Sequence, residues 1–182
     1  VQIVFNGKVI LGTRARKTFS KSFQAFSSVN FPDLAVLQDE RLLQYIRCES
    51  LERPVFYDRL DPHVGLLKLI PGVEDELAAF MLERYDGLII ESFGVGGLPD
   101  YEGGRLDAIL RGAVARGKIV VMTTQVPNEG SDLTVYHVGG RLKSSMNLLE
   151  AYDMTTEAAV AKLMWILGQT RGFAEAERLF YT

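Results

Sequence analysis

The stretch Asp86–Asp100, DGLIIESFGVGGLPD, constrains the fold more than any other part of the sequence. Its apolar run, Leu88–Ile90, follows an acidic and glycine lead-in and ends in a turn. That turn contains Gly94, Gly96 and Gly97. A short run that is apolar throughout is typical of a parallel strand covered on both faces, and glycines allow conformations and close approaches that a Cβ atom would block. The stretch therefore predicts a buried strand that ends in a loop.

Two interpretations of this glycine turn remain open. Ligands collect at the carboxyl ends of strands in open α/β sheets, so the turn could line a binding site. A glycine-rich turn can also serve only to reverse the chain. Phosphate binding has little support, because the chain contains no P-loop or GxGxxG pattern and no lysine with serine or threonine follows Phe93–Leu98.

Strands and helices alternate regularly after Pro62. The predicted strands are His63–Ile70, Asp86–Glu91 and Lys118–Thr123, and the predicted helices are Val73–Arg84, Glu102–Arg116, Met154–Gly168 and Phe173–Tyr181. Thr155 is a candidate cap for the third of these helices, and Val135–Leu142 is interpreted as a short strand and turn. This alternation predicts an α/β fold, a three-layer sandwich with a right-handed parallel sheet, Rossmann-like in its organisation.

The N-terminal third is less regular. Val1–Ile10 predicts a hairpin that turns at Asn6-Gly7, but no partner strand or covering helix is predicted for it, so we expect Val1–Asp61 to be loosely attached. Thr18–Asp61 is interpreted as a long irregular connector with one or two strands, for example Leu42–Ile46. The chain also opens on a strand-like segment without a methionine, which suggests a piece of a longer protein.

Composition excludes several classes of function. The 182 residues carry 20 Lys and Arg against 23 Asp and Glu, a net charge of −3 without a long run of one sign. Neither nucleic acid nor an anionic membrane surface is expected as a partner. No apolar run approaches the roughly 18–20 residues that span a bilayer. The single Cys48 excludes an internal disulfide framework and fits a reducing cytosol.

Few polar residues have a spacing that indicates chemistry. One cysteine and the distant His63 and His137 do not match the ligand spacing of zinc proteins, so no metal site is predicted. The segment Thr123–Gln125 follows the third predicted strand and would lie beside the glycine turn if the two strands are neighbours. Its side chains could contact a small polar ligand, or could simply end a strand.

Lys17 is the sharper candidate for catalysis. If Leu11–Lys17 is extended, Arg14 and Arg16 face one way and Lys17 faces the other. A lysine whose charge is disfavoured can take part in proton transfer to a weak hydroxyl nucleophile. The alternative is an exposed lysine that only aids solubility.

Several long segments together resemble the cytoplasmic, type I bacterial L-asparaginases. They are VFNGKVILGTRARK at 4–17, SFQAFSSVNFPDLA at 22–35, YDGLIIESFGVGGLP at 85–99, GKIVVMTTQ at 117–125 and YDMTTEAAVAKLMWILG at 152–168. The resemblance covers essentially the whole chain in the right order. It implies the tail of an N-terminal catalytic α/β domain at 1–35, an interdomain linker at 36–62 and a C-terminal asparaginase domain at 63–182.

The resemblance also implies a reaction, the hydrolysis of L-asparagine to L-aspartate and ammonia without a cofactor. The family uses two threonines, in TGGT-type and GTDT-type motifs, and a lysine on a later strand. Lys17, after GTRAR, matches that lysine. Neither threonine motif occurs in this chain, so we expect these 182 residues to be inactive alone.

Other features follow from the same resemblance. The family forms homo-oligomers, dimers or tetramers, in which the C-terminal domain lends its glycine turn to a neighbouring active site; the matching residues are Ser92, Gly94, Gly96 and Gly97. Some members respond to asparagine at a regulatory site that includes a cysteine, which Val126 replaces here. The alternatives are an asparaginase-like component of a tRNA-dependent amidotransferase, or a non-catalytic ligand-binding or oligomerisation domain.

Overall fold

The structure, a computed structural model, describes residues 1–48, 53–99, 105–135 and 137–182. The chain divides into two compact units, Val1–Asp58 and Arg59–Thr182.

The first unit is built from short antiparallel strands. These are β1 (Gln2–Phe5), β2 (Lys8–Leu11), β3 (Ala15–Lys17), β4 (Phe26–Ser28), β5 (Ala35–Gln38) and β6 (Arg41–Gln44). Four of them form a sheet in the order β1-β2-β5-β6, and β3 pairs with β4. The predicted hairpin is confirmed: Asn6 and Gly7 both have positive φ angles, 47° and 73°, as a type I′ turn requires.

Some expectations for this unit are wrong. The β1–β2 hairpin has a partner within the chain, since β2 pairs with β5. The connector predicted with one or two strands is confirmed in part: β6 overlaps the strand expected at Leu42–Ile46, but β4 and β5 lie in the same stretch. The turn between β5 and β6 has positive φ angles at Asp39 and Glu40, 48° and 62°, without a glycine. Gly12–Arg14 forms a 3₁₀ turn, so the extended backbone around Lys17 is limited to β3.

The second unit is an α/β sandwich, as predicted. Its elements are β7 (Val64–Lys68), α1 (Asp75–Arg84), β8 (Gly87–Ser92), α2 (Arg105–Ala115), β9 (Ile119–Thr124), α3 (His137–Ser145), β10 (Leu149–Glu150), α4 (Thr156–Gln169) and α5 (Phe173–Phe180). The strands form a parallel sheet in the order β10-β9-β8-β7. The cap predicted for α4 is confirmed, because the Thr155 side chain accepts a hydrogen bond from the Ala158 N–H.

The core lies on both faces of this sheet. On one face, Ile90 packs in a cluster with Leu82 of α1 and Leu110 of α2. On the other face, Ile89 packs with the buried side chains of α4 and α5, including Leu163. Successive strand residues point to opposite faces, so the apolar run of β8 fills both layers at once. This explains why the run contains no polar residue.

One element of the second unit was predicted as the wrong type, and one short strand was not predicted. The segment 135–142, interpreted as a strand and turn because of Gly139-Gly140, contains most of α3 instead. The buried Leu142 shows how tertiary packing offsets the poor helix propensity of glycine. The two-residue β10 is too short to leave a periodic pattern in the sequence. The first residues of the helix predicted at Glu102–Arg116 lie outside the described part of the chain.

Candidate functional site

The glycine turn lies at the carboxyl end of β8, in the predicted position. Phe93 closes it through three backbone hydrogen bonds: its N–H donates to the Gly97 carbonyl oxygen at 3.0 Å, and its carbonyl oxygen accepts from the N–H groups of Gly96 and Gly97 at 3.0 and 2.7 Å. Gly94 and Gly96 have positive φ angles of 51° and 142°. These conformations, and above all that of Gly96, favour glycine.

Gly96 also needs the space that its missing side chain leaves. A Cβ atom there would lie 2.8 Å from Cδ2 of Leu133. Leu133 belongs to the loop between β9 and α3, and its side chain is buried. The predicted close approach at the turn is therefore made by another part of the same unit.

The polar side chains beside the turn hold strand ends together. The buried Ser92 hydroxyl donates to the Thr123 carbonyl oxygen at 2.6 Å. Thr124 donates through Oγ1 to the Gly94 carbonyl oxygen. Gln125 Nε2 donates to the carbonyl oxygens of Leu69 and Glu91, at 2.6 and 3.1 Å.

Neighbouring strands thus bring Thr123–Gln125 to the turn, as expected from the sequence. The bonds found for Ser92, Thr124 and Gln125 all stay within the unit and favour the structural interpretation of these side chains. What the turn can offer a ligand is mainly its own backbone.

A second set of polar residues behind the turn was missed by sequence reasoning. Glu150 of β10 is 1% exposed. Its Oε1 accepts the Leu133 N–H at 2.7 Å, and its Oε2 accepts from Lys143 Nζ at 2.6 Å. Desolvation acts against the charged amine, but the hydrogen bonds to Glu150 and Tyr152 outweigh it and raise the pKa of Lys143. No local pattern connects these residues, because they come from three separate elements.

Lys17 ends β3 in the first unit. Its backbone pairs with Phe26 of β4, and its side chain is exposed. The next residue, Thr18, shares a hydrogen bond of 2.8 Å between its Oγ1 and Ser27 Oγ. Lys17 thus lies at the end of a short hairpin, one residue before the hydrogen-bonded hydroxyl of Thr18.

The structure also brings together Asp61, His63 and Asp86, whose potential metal-ligand atoms lie within 4.8 Å of one another. Both carboxylates already form ion pairs with basic side chains of the same unit. Arg171 contacts both carboxylates, with Nη1 2.9 Å from Asp86 Oδ2, and Lys118 Nζ lies 3.0 Å from Asp86 Oδ1.

These contacts identify the cluster as an ion-pair network. The pKa of the Asp61 carboxyl is lowered, chiefly by the His63 N–H and further by Arg171. The pKa of the Asp86 carboxyl is lowered, chiefly by Lys118. His137, the other histidine, begins α3, and its side chain is outside the described ones. None of the helices that the structure describes is long and apolar enough to cross a membrane.

Comparison with protein families gives two matches. Residues 63–180 match the glutaminase/asparaginase C-terminal domain. Residues 1–47 match the N-terminal asparaginase domain.

Curated relatives include enzymes and components of amidotransferases. The chain is 39% identical to the L-asparaginase of Thermococcus kodakarensis over 180 residues, which is 98% of this chain and 54% of that protein. It is 31% identical to a glutamyl-tRNA(Gln) amidotransferase subunit from Pyrococcus furiosus over 94% of this chain and 39% of that protein. The chain therefore spans about half the length, or less, of these relatives.

Solved structures of L-asparaginases are also similar to this chain. The thermostable L-asparaginase from Thermococcus kodakarensis superimposes with a TM-score of 0.92 at 37% identity, covering all of this chain and 55% of that one. L-asparaginase I from Vibrio cholerae gives a TM-score of 0.85 at 29% identity, with the same coverage.

Proposed function

Because the chain belongs to the glutaminase/asparaginase family, we propose that the whole protein hydrolyses L-asparagine to L-aspartate and ammonia. The observation that carries this proposal is the 39% identity to an L-asparaginase over 98% of the chain. In this proposal residues 1–35 end the catalytic domain, 36–62 connect the domains and 63–182 are the C-terminal domain. The reaction needs no cofactor, and the enzyme acts in the cytoplasm as a homo-oligomer, a dimer or a tetramer.

Lys17 has the role of a proton-transfer residue in this proposal. A threonine hydroxyl is a weak nucleophile and needs an activating neighbour. The exposed position of Lys17 at the end of β3 leaves its amine accessible to such a hydroxyl.

The glycine turn has the role of a substrate contact for a neighbouring copy of the chain. Its residues Ser92, Gly94, Gly96 and Gly97 lie at the carboxyl edge of the parallel sheet, where ligands bind in α/β folds. Because Ser92 already donates its hydroxyl proton within the unit, we assign the contact to the backbone of the glycines.

A second candidate function is that of a component of a tRNA-dependent amidotransferase, which releases ammonia for a partner protein. The identity of 31% to the amidotransferase protein of Pyrococcus furiosus supports it. A free asparaginase should hydrolyse asparagine alone. An amidotransferase component should instead depend on its partner and on tRNA. A non-catalytic ligand-binding domain should release no ammonia under either condition.

The test is ammonia release by the purified whole protein with L-asparagine and with L-glutamine. Lys17→Met keeps the length of the side chain and removes the amine, so kcat should fall at least about a hundredfold. Lys21→Met is the matched control, since Lys21 is also exposed and nearby, and it should leave kcat unchanged. An unchanged kcat in Lys17→Met would remove this lysine from the mechanism.

The 182-residue chain should release no ammonia by itself, because both threonine motifs are absent from it. Release above the background of a heat-denatured sample would contradict this expectation and would place the nucleophile within the chain.

A further inference from the structure

We propose that Glu150 and Lys143 are positioning residues that set the conformation of the glycine turn through Asp132 and Leu133. The consequence for substrate binding rests on the proposed function, whereas the mechanical coupling does not.

The backbone of Glu150 is held on both sides by hydrogen bonds. Its N–H donates to the Tyr181 hydroxyl at 2.8 Å, and the same hydroxyl donates to the Glu150 carbonyl oxygen at 3.2 Å. On the other side β10 pairs with β9, where Glu150 faces Met122. Tyr181 thus satisfies the edge of a two-residue strand that would otherwise be poorly held.

The Glu150 carboxylate is fixed by a cation. A carboxylate that is 1% exposed is strongly unfavourable without an ion pair and further hydrogen bonds. Lys143 Nζ supplies the charge at 2.6 Å. It also donates to the Tyr152 hydroxyl at 2.9 Å and lies 4.9 Å from the centre of that ring. Oε1 is thereby aimed at the Leu133 N–H, which it accepts at 2.7 Å.

Asp132 and Leu133 connect the Glu150 carboxylate with the glycine turn. The Asp132 N–H donates to the Val95 carbonyl oxygen at 2.6 Å. The Leu133 side chain fills the space that a Cβ atom on Gly96 would need. Leu133 therefore connects Glu150 through its N–H with Gly96 through its side chain.

The tip of the turn depends on these contacts. The bonds that close the turn upon itself all involve Phe93. Val95 and Gly96 are the residues that Asp132 and Leu133 hold from outside. Loss of the Glu150 carboxylate should free the Leu133 N–H, loosen the loop and let the tip move, while the sheet beneath it stays intact.

The test is amide hydrogen exchange on the 182-residue chain. In Glu150→Ala, exchange at Gly96 and Gly97 should accelerate about tenfold, since a buried hydrogen bond to a charged group is lost, while Leu88–Ile90 should stay as slow as in the wild type. Glu150→Gln keeps an acceptor for Leu133 and should exchange more slowly at the turn than Glu150→Ala. Glu175→Ala, which breaks an exposed ion pair with Arg178 on α5, is the matched control and should change neither region.

Unchanged exchange at Gly96 and Gly97 in Glu150→Ala would overturn the proposal. If that variant unfolds, so that Leu88–Ile90 also exchange fast, the proposal is tested with Lys143→Met instead. It keeps the Glu150 side chain, so acceleration confined to the turn supports the proposal and wild-type exchange there overturns it.

Kinetics of the whole protein separate this proposal from the proposed function. If the turn contacts asparagine, Glu150→Ala should raise KM about tenfold with less effect on kcat, because it loosens a contact that substrate and transition state share. Faster exchange at the turn with an unchanged KM would leave the positioning role intact and remove the turn from substrate binding.

Discussion

The two units of this chain both contain a four-stranded sheet, but they bury very different amounts of apolar surface. In Arg59–Thr182 the sheet lies between helices, and strand residues such as Leu88 and Ile89 are completely buried. In Val1–Asp58 the core cluster of buried residues consists of Val9, Leu34 and Ala35. Exposed apolar side chains of the same unit lie on or next to its strands: Val4, Leu37, Leu42, Leu43 and Tyr45.

This difference teaches that paired strands alone do not make a stable unit. Backbone hydrogen bonds contribute little net stability, because unfolded strands bond to water instead. Buried apolar area supplies most of the favourable free energy of folding, and a sheet with only a small covered area gains less of it. The second unit should therefore carry the stability of the chain.

The largest effect should come from separating the units. Residues 59–182 should fold alone and unfold cooperatively in urea, whereas residues 1–58 alone should show no cooperative transition. In the intact chain, amides of Val1–Ile10 should exchange faster than those of Leu88–Ile90. Equally slow exchange in both segments of a demonstrably monomeric sample would contradict the comparison.

The fold of the second unit was largely predictable because its signals are local. The apolar run Leu88–Ile90 predicted a strand that is covered on both faces, and Thr155 predicted the start of α4. The first unit was harder to predict. Its β5–β6 hairpin turns at Asp39-Glu40, where both φ angles are positive without the glycine that usually marks such a turn.

A second prediction compares the cores directly. Leu110→Ala removes a completely buried side chain from the cluster on one face of the parallel sheet, and should lower the free energy of unfolding by about 2–5 kcal/mol. Leu42→Ala is the counterpart on β6, where the side chain is 57% exposed, and should change it by less than about 0.5 kcal/mol. Urea denaturation of both variants is the measurement. Equal losses would contradict the difference in burial between the two units.

The candidate site was predictable only in part. The glycine turn was found from composition and spacing, and Thr123–Gln125 were expected beside it. The residues behind the turn could not be found this way. Leu133, Lys143 and Glu150 meet only after α3 and β10 have formed, and neither element has a clear pattern in the sequence.

A third prediction asks how much loops add to the stability of the second unit. Gly130 has a φ of 80°, and a Cβ atom on it would collide with the Tyr152 carbonyl oxygen and lie 2.9 Å from Cα of Asp153. Gly130→Ala should therefore cost about 2–3 kcal/mol of unfolding free energy. Gly72→Ala is the control: its φ is 81°, but nothing lies within 4 Å of the added atom, so only the backbone term of about 1 kcal/mol remains. Equal costs would show that the loop moves away from Tyr152 easily.

The smallest effect on stability should come from breaking the ion pairs of Arg171. Asp61 and Asp86 share Arg171, and the pKa of each carboxyl is lowered below its usual 3.8, for Asp61 chiefly by the His63 N–H and for Asp86 chiefly by Lys118. A lowered carboxyl pKa adds stability that is fully present above about pH 4 and is lost as pH falls through the folded value.

Arg171→Met should accordingly lower the free energy of unfolding by about 1 kcal/mol or less at pH 7, since Arg171 is half exposed and solvent screens the pairs. The difference from the wild type should shrink as pH falls through the lowered pKa values of Asp61 and Asp86, because protonation removes the negative charges that Arg171 pairs with. Lys8→Met breaks the single pair with Asp33 in the first unit and should have a smaller effect, because Lys8 faces one carboxylate where Arg171 faces two. A loss in Arg171→Met that stays the same as the two carboxyls become protonated would mean that this arginine acts through packing rather than through charge.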